Sequence, residues 1–85
     1  MNYLITYDLN KPGQNYNELY AAIRSYRNYH PLESVWFIKS NATATAIFNA
    51  LHPHIDKNDT LFVCEITSNR SGWIPKDAWT FLDNA

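Results

Sequence analysis

The chain has a single cysteine, no long apolar run and no excess of either charge, and each scarcity excludes a class of protein. One thiol, Cys64, cannot close an intrachain disulfide, so the fold is not a disulfide-stapled scaffold. The opening residues Met1 to Thr6 are too short and too quickly polar for a secretory signal, which together with the lone thiol predicts a cytoplasmic protein. No stretch approaches the roughly 18 apolar residues of a membrane span, so no membrane partner is expected. Seven basic against eight acidic residues leave a net charge of -1, without the broad basic surface that gives nonspecific affinity for duplex nucleic acid. A nucleic-acid role must rest on local charge. Up to Ala42 there are three acids to four bases, and beyond it five to three, so the first half is the more anion-facing. No repeat or low-complexity segment is visible.

What is abundant is apolar and aromatic. A hydrophobic fraction of 46% with 15% aromatic residues argues for a packed core and against disorder. Three Trp and six Tyr exceed what a small core hides, which places some of them at an interface or a ligand surface. A chain of 85 residues makes one domain and buries a smaller share of its surface than a larger one, a deficit that dimerisation would relieve.

Tyr3 to Tyr7 alternate as a strand, with Tyr3, Ile5 and Tyr7 on one face and Leu4, Thr6 and Asp8 on the other. Asn15 and Glu18 form a capping pattern, and Leu19, Ala22, Ile23 and Tyr26 recur at helical spacing, predicting a helix from about Tyr16 to Asn28. Pro31 disfavours helix at His30, and the run from Leu32 to Ile38 reads as a strand, or as a kinked pair over residues 29–39. Ser40 or Asn41 can cap a second helix that runs through Leu51 and stops at Pro53. Thr60 to Thr67 reads as a half-buried strand. Pro75 suits the start of a short helix through Leu82, whose Trp residues are expected to pack back on the body. Strands alternating with helices in so short a chain predict an α+β, ferredoxin-like split βαβ sandwich, with two helices on one face of an antiparallel sheet plus the short C-terminal helix.

Tyr7-Asp8-Leu9 at the end of the first strand, Ser34-Val35-Trp36-Phe37 where a Ser-Val-Phe motif is usual, and Asp59 opening the late strand together resemble the small CRISPR adaptation subunit, the second CRISPR-associated protein. The resemblance covers about residues 2 to 67 and extends to the virulence-associated protein D type of RNA-cleaving toxin. It implies a ferredoxin-like homodimer. In some members, paired first-strand aspartates hold Mg²⁺ or Mn²⁺ between subunits for nuclease activity, and others bridge DNA without catalysis. Asp8 is the position that would inherit the metal. The basic residues that often follow that aspartate are reduced here to Lys11, and the tail after Ile66 is unlike the strand extension that contacts the integrase. The chain thus looks like a divergent, stand-alone relative.

Two readings stand for Asp8: a metal ligand for phosphodiester chemistry, or a side-chain cap of the Asn10 to Gly13 turn. Ser34 could position a phosphate or water beside it, or simply bond backbone. Glu33 is a second carboxylate that strand alternation would point away from Ser34. Tyr16, Tyr20, Tyr26 and Tyr29, interleaved with Arg24 and Arg27 on the predicted helix, could offer stacking rings and guanidinium groups, or form an ordinary amphipathic face. Tyr7, Asn10, Lys11 and Trp36, in and beside the motifs, complete the candidate contacts. His30, His52 and His54 are the possible acid–base groups near neutral pH, with the His52-Pro53-His54 triplet reading best as a helix terminus. Cys64, inside an apolar strand, reads as a small buried residue. Three functions follow as expectations: a Mg²⁺- or Mn²⁺-dependent nuclease, a noncatalytic dimer binding nucleic acid or a nucleotide, or a protein interaction module of a defence or toxin–antitoxin locus.

Overall fold

The computed structural model describes residues 1–10 and 15–84. The described residues run β1 (Asn2–Asp8), α1 (Asn17–Arg24), β2 (Arg27–Leu32), β3 (Val35–Lys39), α2 (Ala44–Leu51), β4 (Thr60–Ile66) and α3 (Lys76–Asp83), with a 3₁₀ turn, His52–His54, after α2. The four strands form one sheet in the order β2-β3-β1-β4 with every neighbouring pair antiparallel. β1 and β2 are joined through α1, yet β3 lies between them, so the expected split βαβ arrangement is present.

Strand alternation decides which layer each residue enters. Tyr3, Ile5, Trp36 and Ile38 point to one face and are buried with Leu19 and Ile23 of α1 and Ile47 and Leu51 of α2. Leu4, Phe37 and Ile66 point to the other, where Ala78 and Leu82 of α3 cover them. The C-terminal helix is therefore a third layer rather than an appendage. It is held by Asn2 Nδ2 donating to the Leu82 carbonyl at 2.8 Å, by Lys39 Nζ donating to the Asn84 carbonyl at 2.6 Å, and by an Arg70–Asp83 ion pair at 2.7 Å. Trp79 joins this layer as expected, whereas Trp73 is fully exposed.

Two boundaries differ from the sequence expectations, and a third, left open between one strand and a kinked pair, is decided. Helix α1 stops at Arg24, and residues predicted to continue it start β2 at Arg27. The stretch 29–39 is a hairpin of two strands around Glu33 and Ser34, and the register shifts between Tyr29 and Leu32. Pro31 is compatible with β2 because that strand lies at the sheet edge, where an outward amide needs no partner. The cap of α2 is Thr43, whose hydroxyl accepts from the Ala46 amide at 3.1 Å, rather than Ser40 or Asn41.

Candidate functional site

At the end of the sheet where β1 stops and the β2–β3 turn returns, Tyr7, Asp8, Leu9, Tyr16, Tyr20, Glu33 and Ser34 line a cleft of about 620 Å³. The register explains the convergence. Thr6 of β1 lies opposite Val35 of β3, and the Tyr7 amide donates to the Ser34 carbonyl at 3.3 Å, so Asp8 and the turn share one rim. Glu33 and Ser34 both reach the cleft because they sit in a turn, where the two-residue alternation of a strand no longer applies. The expectation that they diverge came from placing them inside a strand, and the structure corrects it.

Tyr7 is the best-anchored side chain of the cleft. Its hydroxyl accepts from Trp36 Nε1 at 2.9 Å and donates to the Glu33 carbonyl at 3.1 Å. His30 Nε2 lies 2.9 Å from that same carbonyl, an acceptor that only a protonated Nε2 can satisfy. The His30 ring stacks on Trp36 with centroids 3.7 Å apart, and the Arg24 guanidinium lies 5.5 Å from the Trp36 ring and 6.0 Å from Tyr20. Burial pushes the Tyr7 phenol above its ordinary range, the Trp36 hydrogen bond opposes this, and the neighbouring Tyr20 and Glu33 add to the rise. As pH climbs past about 10 the unfolded chain loses this proton while the folded one keeps it, so stability falls with pH in that window. Tyr7→Phe should therefore flatten the alkaline loss of stability, measured by urea denaturation at a series of pH values.

The other side of the cleft is fastened by Asp59. One carboxylate oxygen accepts from the Asn10 amide at 2.7 Å and from the Tyr16 hydroxyl at 2.9 Å, and the other accepts from the Asp56 amide at 2.7 Å. The end of β1, the start of α1 and the approach to β4 thus meet on one side chain. Asn10 is engaged here, its side-chain amide also reaching the Asn58 carbonyl at 3.3 Å. Tyr16 and Asp59 carry this arrangement, and their roles are invisible in the sequence because they act across 43 residues.

The remaining candidates separate. Asp8 and Ser34 are exposed on the cleft rim, and Tyr20 is partly exposed within it. Trp36 is 2% exposed, so it supports Tyr7, His30 and Arg24 from beneath rather than offering a free stacking surface. Arg27 lies in β2 beside Lys39 and does not share a helical face with Arg24. Lys11 lies outside the described residues. His54, in the 3₁₀ turn after α2, approaches Glu18 of α1 at 3.6 Å, and His52 stacks on Phe48, which leaves both away from the cleft. Cys64 is half-buried in β4 as a free thiol.

Among the described residues, no group of three or more His, Cys, Asp or Glu side chains gathers where it could hold a metal ion. Asp8 and Glu33 are the carboxylates that line the cleft, and two such ligands are the number that Mg²⁺, which retains several waters, commonly takes from a protein. Among the described residues, no helix is long and apolar enough to cross a membrane. Compared with known proteins, the chain matches no family model and no curated sequence.

Proposed function

We propose that this chain binds a nucleotide or a short run of single-stranded nucleic acid in the Tyr7–Ser34 cleft, as a cytoplasmic protein and without a required catalytic step. The observation that carries this reading is the pairing of tyrosine rings with two carboxylates and a hydroxyl in one cleft, while Arg24 lies beside Tyr20. Asp8 and Glu33 repel phosphate and accept hydrogen bonds from the amino groups on base edges, which favours the base inside and the phosphate toward Arg24. Tyr20 supplies a partly exposed ring for stacking, a sequence-tolerant contact worth about 1–3 kcal/mol per base. With a net charge of -1, stacking must replace phosphate neutralisation that a basic surface would provide.

A second reading is favoured by two carboxylates and the Ser34 hydroxyl lining one cleft. Asp8 and Glu33 would hold Mg²⁺ or Mn²⁺, which activates water and relieves charge at a phosphodiester. This is the nuclease activity that the resemblance to the CRISPR adaptation subunit implies. One set of measurements separates the two. Calorimetric titration with the four nucleoside monophosphates and short RNA and DNA oligonucleotides at low salt should show binding that Tyr20→Ala weakens about tenfold. Oligonucleotides incubated with either ion should stay intact. Cleavage abolished by Asp8→Asn would establish the second reading instead, and flat titrations with every ligand would remove the first.

A further inference from the structure

The two edges of the sheet are built differently. Edge strand β2 carries Pro31, a register shift between Tyr29 and Leu32, and the exposed cation Arg27, the devices by which natural sheets discourage further strand pairing. Edge strand β4 has neither the proline, the register shift nor a cation. Its seven residues, Thr60–Ile66, contain no proline and one charge, Glu65, and they pair without interruption with β1 from Asn2↔Ile66 to Asp8↔Thr60. Among the described residues β1 is its one strand partner, so the outward row of amides and carbonyls faces away from the sheet. Beside that row, Ala44, Thr45 and Phe48 of α2 and Leu61, Phe62 and Val63 of β4 line a groove of about 300 Å³. Phe62 borders the groove through its backbone, while strand alternation turns its side chain, 57% exposed, to the other face of the sheet.

We infer that β4 pairs with β4 of a second copy of this chain, antiparallel about a two-fold axis at Val63, joining two four-stranded sheets into one of eight. The strand suits itself in this register. Val63 meets the second Val63, Phe62 meets Cys64, Thr60 meets Ile66 and Leu61 meets Glu65, so no like charges oppose and each exposed Phe62 gains an apolar neighbour. A two-fold axis through Val63 also brings the two α2 helices to the same side of the joint sheet, so that the groove Phe48 lines in each copy borders the joint. β2 cannot offer the same arrangement, because its proline and bulge interrupt the ladder.

This pairing has a consequence for Asp8. Asp8 is in register with Thr60, hence with Ile66 and Asn2 of the other copy, which leaves the two Asp8 residues three strand spacings apart across the sheet and six residues apart along it. At ~4.8 Å per strand and ~3.4 Å per residue they lie about 25 Å apart. No single ion can bridge them, so each subunit keeps its own cleft, in contrast to the shared metal site that the family resemblance implies.

Sedimentation equilibrium of the full chain and single-cysteine cross-linking test the pairing. The wild type should sediment as a dimer, and Phe62→Lys should shift the equilibrium at least tenfold toward a monomer with an unchanged circular dichroism spectrum. In a Cys64→Ser background, Val63→Cys should form an interchain disulfide under mild oxidation, since directly opposed strand residues have the Cα separation a disulfide needs. Trp73→Cys in the same background should not cross-link. A monomer at the highest attainable concentration overturns the pairing. So does a dimer that Val63→Cys fails to cross-link, or one that Trp73→Ala dissociates while Phe62→Lys leaves it intact.

Discussion

Asp59→Ala is expected to lower the stability of the folded protein by about 3 kcal/mol, because this side chain accepts hydrogen bonds from two distant segments, at Asn10 and Tyr16, and from the Asp56 amide of its own turn. Bonds to a charged acceptor contribute about 1.5–3 kcal/mol each, and their effects overlap when they act as a unit. The Asn10 amide, the Tyr16 hydroxyl and the Asp56 amide would lose this partner together, each at 2.7–2.9 Å in the intact protein. A domain of this size has roughly 4–13 kcal/mol of stability in total, so the loss is a large fraction of it. Urea denaturation should show a lower midpoint with a nearly constant slope. Asp59→Asn is the informative companion. It keeps one acceptor oxygen but turns an amide donor toward groups that themselves donate, so it should recover less than half of the loss. Equal stability of wild type and Asp59→Ala would mean that the three segments are positioned without this side chain.

Trp36→Ala should cost more, about 3–5 kcal/mol, the range for truncating a buried large aromatic side chain. The ring is 2% exposed beneath the cleft, and its loss removes the stacking partner of His30, the cation partner of Arg24 and the donor to the Tyr7 hydroxyl in a single step. Trp36→Phe separates packing from hydrogen bonding. It keeps most of the apolar volume and loses the indole N–H, at a cost of about 1 kcal/mol. Because that N–H lowers the Tyr7 pKa against the dominant effect of burial, Trp36→Phe should push Tyr7 further upward. Ultraviolet titration of the phenol in this variant against wild type, with Tyr7→Phe to assign the signal, checks the sign. An unchanged or lowered Tyr7 titration would show that the indole does not hold the hydroxyl in solution.

Much of the fold is legible in local pattern. The alternation of Tyr3, Ile5 and Tyr7 and the spacing of Leu19 and Ile23 assign β1 and α1 to the faces they occupy, since a residue's face follows from its position in a regular element. Residues 25–34 resist the same treatment. Ser25, Tyr26 and Arg27 have no strong preference that would stop a helix, and Pro31, which disfavours helix at His30, is accommodated inside β2 because that strand is an edge. Glu33 shows how one boundary propagates: once the hairpin turn is missed, alternation points its side chain away from a cleft that it lines.

The amino-acid order by itself determined the α+β class with its split βαβ arrangement, the absence of a disulfide within the chain, and Asp8 as a position at the end of a strand. These depend on periodicity, cysteine count and short-range chemistry, which are properties of neighbouring residues. The tertiary structure alone decided that Asp8, Glu33, Ser34, Tyr16 and Tyr20 share one cleft, that Trp36 is a buried support, and that α3 covers the second face of the sheet. It also decided which strands became edges, and hence which of them β2 guards and β4 leaves open. Such relations join residues tens of positions apart, as Asp59 joins Asn10 and Tyr16, and they arise only when strand order and register close the sheet.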